Sequence, residues 1–177
     1  MTNNKLTTKE MVQLALTVAA LIAGGYVLYF IGVIFPIPGF KYLILTPYLS
    51  FIITFVILYF KNPRSFFYFN TTFGMIMSLM NIYMGLAILS VGIITQIFIS
   101  ILPKKWPFYN YIISFIYAES VIYLAVFVSA FILQLPLYDH MNLYHLMLLG
   151  TIGGFTSFFG GNLGITLVNR LPKKIKN

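Results

Sequence analysis

Glu119 is the one charged residue inside an apolar run, in a chain of 177 residues with only three acids and two histidines. A charge near mid-bilayer costs at least about 2.5–3.5 kcal/mol on insertion scales, so such residues usually face a cavity or a partner. Glu119 therefore either serves a site or is neutral and hydrogen-bonded between helices. Toward one end of the same runs lie Tyr26, Tyr29, Asn81, Tyr83 and Tyr123, with Asp139, His140, Tyr144 and His145 at the break before the last. Tyrosines at that level are most often interface anchors. Their value is in convergence, because a small-molecule site is a mostly apolar pocket with a few polar groups. Lys41, at the same end, either meets a substrate carboxylate or snorkels to lipid headgroups. Gln96 and Asn162 fall toward the other end and are expected to tie helices together.

Other chemistry is poorly served. No H-E-x-x-H, G-x-S-x-G or paired-carboxylate motif occurs. Both histidines belong at the surface, out of hydrogen-bond reach of a mid-depth Glu119, so no catalytic residue is expected. Asp139, His140 and His145 lack a His-x-x-x-His pair and a second carboxylate, so no metal site is expected. The absence of cysteine excludes disulfides and thiolate chemistry.

The elements that must position these groups are apolar helices. Hydrophobic residues make up 60% and charged residues 8% of the chain, and the mean hydropathy is +0.92. A soluble domain carries about 25% charged residues. The net charge of +8 comes in short clusters between apolar runs. That is a membrane-surface pattern and not the aromatic-interleaved stripe of a nucleic-acid binder. Ten of the eleven Lys and Arg residues sit at alternate breaks: Lys5 and Lys9; Lys61 and Arg64; Lys104 and Lys105; Arg170, Lys173, Lys174 and Lys176. Cytoplasmic loops are rich in Lys and Arg, so both termini are expected in the cytoplasm and Lys41 outside.

This reading predicts an all-α membrane protein, one compact bundle of six transmembrane helices over residues 1–177. The approximate spans are 11–35, 43–60, 65–80, 85–102, 109–135 and 143–171. Thr7-Thr8-Lys9-Glu10 reads as a capping box, and Pro36-Ile37-Pro38-Gly39 ends the first helix. The first apolar run is too long for a signal peptide and offers no A-x-A cleavage site, so it is expected to stay in the mature protein. The uncharged stretch 65–102 would make one helix of about 57 Å, nearly twice the hydrocarbon core, so it must fold back near Met80–Gly85. Trp106 is an expected interface anchor.

Small residues recur on two helices. Ala15, Ala19 and Ala23 form a row with Ala20 and Gly24 beside it, and the last helix carries Gly150/Gly154, Gly153/Ser157/Gly161 and Gly160/Gly164. Such rows let helices approach closely in lipid. The alanine row either packs inside the bundle or docks on another membrane protein; the glycines are expected to pack internally.

With its length, six spans, basic N-terminus, Ala15-xxx-Ala19-xxx-Ala23 row and Pro/Gly-containing loop 35–41, the chain resembles the S components. These are the substrate-binding subunits of energy-coupling factor (ECF) importers. The resemblance implies that Ala15, Ala19 and Ala23 dock on a transmembrane T component, with two cytoplasmic ATPase subunits supplying energy; no G-x-x-x-x-G-K-[ST] occurs in this chain. It further implies capture of a vitamin-like micronutrient at the outer face of the cell membrane, in a bacterial plasma membrane, by a non-enzymatic subunit without its own cofactor. Tyr26, Tyr29, Lys41, Asn81, Tyr83, Glu119, Tyr123, His140, Tyr144 and His145 are the candidate substrate-binding residues. Cobalt and nickel members begin Met-His, whereas this chain begins Met1-Thr2-Asn3, so those metals are not expected as substrate. Some S components carry haem, for which Tyr, His or Met can serve as axial ligand, and that remains an alternative. So do a non-transport membrane assembly subunit and an intramembrane enzyme using Glu119.

Overall fold

A computed structural model describes residues 6–35, 37–60, 63–106, 108–138 and 141–171, the side chains of Pro63 and Leu137 apart. Every regular element among them is helical. The main helices are α1 (Thr8–Val33), α2 (Phe40–Phe60), α3 (Pro63–Met80), α4 (Ile82–Ile101), α5 (Tyr109–Phe127) and α6 (Leu143–Arg170). Five of the helical stretches, all but α3, are long and apolar enough to cross a membrane. Helix α3 has 18 residues and carries Arg64, Ser65, Asn70, Thr71 and Thr72. At about 1.5 Å per residue it still reaches roughly 27 Å, close to a hydrocarbon thickness.

Local chemistry accounts for the ends. Glu10 Oε2 accepts from Thr7 N at 2.8 Å while Glu10 N donates to Thr7 Oγ1 at 3.3 Å, closing the capping box of α1. Gly39 has φ +80°, a conformation glycine adopts without steric cost, and a side chain there would also strike Leu149. The fold-back in the long uncharged stretch is a single residue. Asn81 is extended, and its Oδ1 accepts from Tyr83 N at 2.9 Å and Met84 N at 3.2 Å, so α4 starts at Ile82 and not at 85. The fifth helix also differs from expectation. Its α-helical part stops at Phe127, a π-helical turn follows over Val128–Ile132, and Leu133 N donates to Val128 O at 2.9 Å. Regular helix thus ends at Ile132, three residues short of 135; Gln134 takes φ 47° and the chain leaves through a 3-10 turn at Pro136–Tyr138.

Helix α2 is the hub, touching α1, α3, α5 and α6, while α3 and α4 pair as a hairpin and α5 bridges α4 and α6. Lipid is as apolar as a leucine side chain, so close packing and interhelical hydrogen bonds must hold such a bundle. The glycines of α6 supply the packing: a Cβ on Gly160 would overlap the Pro47 carbonyl of α2, and one on Gly164 would sit 2.9 Å from Phe51 O. Buried hydroxyls join α2 to α6 and to α5, with Ser50 and Ser157 at 2.6 Å and Ser50 Oγ donating to Ser114 O at 3.3 Å. Between α3, α4 and α5, Tyr117 Oη donates to Asn70 Oδ1 at 3.0 Å and Asn70 Nδ2 to Ile88 O at 3.1 Å. Of the two expected helix ties, Asn162 accepts from Tyr111 Oη at 3.2 Å, whereas the Gln96 Oε1 atom is buried without a partner.

Candidate functional site

A cavity of about 330 Å³ opens at the end of the bundle that carries Gly39 and Asn81. It is lined from five helices: Gly25, Tyr26 and Tyr29 of α1; Tyr42, Leu45 and Leu49 of α2; Phe73, Met77 and Met80 of α3; Met84 and Ile88 of α4 with its cap Asn81; Val121 and Ala125 of α5. Helical periodicity selects these residues, since positions three or four apart share a face. Apolar rings and methionines make the wall, and the polar groups collect toward the rim.

Lys41 stands at that rim. Its Nζ lies 5.1 Å from the centroids of both the Tyr29 and Tyr42 rings and donates to Tyr29 Oη at 3.4 Å. Two ring faces stabilise the ammonium without neutralising it. Tyr26 Oη donates to Met80 Sδ, linking α1 to α3 across the opening. The Asn81 carbonyl oxygen is committed to capping α4, which leaves its amide nitrogen as the group it can offer a ligand. Tyr42 Oη and Ser129 Oγ are 2.9 Å apart, and Tyr138 packs in the same cluster. Burial pushes the Tyr138 phenol above its ordinary pKa, so it stays protonated.

The structure thus brings Tyr26, Tyr29 and Asn81 together, with Lys41 beside them, and separates the others. Tyr83 begins α4 but is 44% exposed and lines no part of the cavity. Glu119 and Tyr123 are on another face of α5, in a groove against α6. Helix rotation is the reason: residues 119 and 123 point about half a turn away from 121 and 125. Tyr144 is 70% exposed. His145 completes the cap of α6: its N donates to Asn142 Oδ1 at 3.0 Å and its Nδ1 lies 2.7 Å from the same atom. His140, with Asp139, lies outside the described residues. Among the described residues no three His, Cys, Asp or Glu converge.

Tyr42, Met77 and Met84 line the cavity without having been singled out by sequence. Their spacing relative to Met80 and Asn81 was visible; which face of α3 and α4 turns inward was not. The alanine row is outside the core. Ala15, Ala19 and Ala23 are exposed, on a surface of α1 flanked by Val12, Leu16 and Val27, while Leu14, Val18 and Leu21 face the bundle. Of the neighbouring pair, Ala20 is exposed too, although its carbonyl accepts from Tyr48 Oη at 2.6 Å, and the Tyr48 ring lies over the partly buried Gly24. In comparisons with known proteins, the chain matches no family model, no curated protein and no solved structure.

Proposed function

We propose that this protein is the substrate-binding membrane subunit of an ECF-type importer. It crosses the cell membrane six times, keeps both termini in the cytoplasm and takes up a vitamin-like micronutrient through the cavity at its outer end. Tyr26, Tyr29 and Tyr42 sandwich a compact ring system, the Asn81 amide hydrogen-bonds it, and Lys41 meets an acidic group. Ala15, Ala19 and Ala23 dock on a T component, and two ATPase subunits power uptake.

The observation that carries this reading is the cavity itself. It is apolar, rimmed by three tyrosines, an amide and a lysine, and sits at the bundle end farthest from the Lys104 and Lys105 cluster. Its volume of about 330 Å³ lies at the small end of the roughly 300–1,000 Å³ range of ligand pockets, which suits a compact ring better than a haem macrocycle. The outward alanine face supports the docking half, because small side chains let a second helix approach.

The test is mass spectrometry of small molecules retained by the purified chain, followed by titration with a panel of vitamins, their precursors and haem. Submicromolar binding of one compact compound, weakened at least about tenfold by Tyr29→Ala, is expected. Binding of no member of the panel would remove the proposal.

A further inference from the structure

The groove between α5 and α6 is separate from the cavity. Ile112, Phe115, Glu119 and Tyr123 line one wall, and Gly150 and Gly154 lie on the other. It is an open groove of about 1110 Å³, and from Phe108 to Tyr123 it runs about 22 Å along α5. The Tyr111 and Phe158 rings stack at 4.6 Å and join the two walls below Glu119.

Glu119 makes this more than a lipid-filled crease. It is only 6% exposed, and its Oε1 atom is buried with no hydrogen-bond partner. Glycines on α6 make room for it: a Cβ on Gly153 would lie 2.7 Å from Oε1, and one on Gly150 3.2 Å from Oε2. The Tyr123 hydroxyl reaches the same space over Gly150. Among the described residues no Lys, Arg or His lines the groove. Oε1 packs against Gly153, which does not line the groove, so Oε2, beside the Tyr123 hydroxyl over Gly150, is the oxygen a visitor could reach; a carboxyl without a partner in apolar surroundings is costly and calls for one.

We propose that the groove binds a neutral long-chain lipid alcohol, whose single hydroxyl hydrogen-bonds Glu119 and Tyr123 while its chain lies along the aromatic wall. A hydroxyl both donates and accepts, matching the pair. An ammonium would require an ion pair desolvated at mid-depth, where the desolvation penalty opposes the attraction. A phosphate-headed lipid would hold its head at the membrane surface, above Glu119. A partner helix is disfavoured by the banks, because Phe108, Met147, Phe155 and Phe158 are all more than half exposed and project outward. Close helix approach needs small residues there.

The experiment uses the full chain in detergent, incubated with geranylgeraniol or with its methyl ether, and counts bound probe by native mass spectrometry. The wild type is expected to prefer the alcohol about fivefold, the order contributed by one hydrogen bond inside a membrane. Glu119→Leu abolishes the preference and Glu119→Gln keeps it. Thr151→Trp, which fills the groove from an exposed position, is expected to exclude both probes. Equal retention of alcohol and ether by the wild type, or undiminished retention by Thr151→Trp, overturns the proposal. Both readings stand even if Glu119→Leu does not fold. None of these substitutions touches the cavity, so failure here leaves the importer reading unaffected.

Discussion

Two glycines, Gly92 and Gly25, show how differently one residue type is used in this bundle. Gly92 of α4 gives the Asn70 amide its place, since a Cβ there would overlap that amide. Through Asn70 it secures the bonds to Ile88 O and Tyr117 Oη that tie three helices. Gly25 of α1 lines the cavity, and its nearest neighbour would be Leu45 at 3.9 Å, an ordinary contact. Gly92→Val is therefore expected to destabilise the protein by about 1–3 kcal/mol, the cost of overpacking and of a displaced buried amide. Gly25→Val is expected to leave stability within about 0.5 kcal/mol while weakening binding of the ligand proposed for the cavity. Thermal unfolding in detergent reads the first effect and ligand titration the second; a Gly92→Val protein as stable as wild type would remove the structural role given to Asn70.

At the scale of the element, α1 has two faces with different work. Leu14, Val18 and Leu21 meet the core, and Gly25, Tyr26 and Tyr29 meet the cavity. Ala15, Ala19 and Ala23 point away from both. Ala15→Trp adds bulk only to the outer face, so binding by the purified chain is expected to stay within about twofold of wild type. If the proposed importer reading holds, uptake by cells is expected to fall to background, because a bulky side chain blocks close helix approach. Retained uptake would sever the alanine row from docking. Sequence made the row visible and left its direction open, since helices apolar all round have no side that must face inward. Helix α2 is the clearest case: its buried residues, from Tyr42 to Phe60, are no more apolar than its partly exposed ones.

At the scale of the whole molecule, the proposed six crossings depend on α3, the one main helix outside the set long and apolar enough to cross a membrane. Because the chain has no cysteine, single cysteines report without background. Ile37→Cys, in the loop between α1 and α2, and Lys104→Cys, after α4, are both at exposed positions. A membrane-impermeant thiol reagent is expected to label Ile37→Cys in intact cells and Lys104→Cys only after permeabilisation. Labelling of both from outside would mean that α3 does not cross, and the proposed topology would fall.

What the sequence determined by itself is what local chemistry controls. Apolar runs of membrane length dictate helices because backbone groups in lipid must bond within their own segment. Thr7 with Glu10, Gly39 and Asn81 mark ends because each satisfies or bends the backbone next to it. Tertiary structure alone decided how each helix is rotated. That rotation placed Tyr42, Met77 and Met84 beside Tyr26 and Tyr29, and turned Glu119 and Tyr123 toward α6. In water a helix's apolar stripe would have announced its inner face. In lipid the contrast disappears, and packing of glycines against backbone, with a few buried hydrogen bonds, makes the choice.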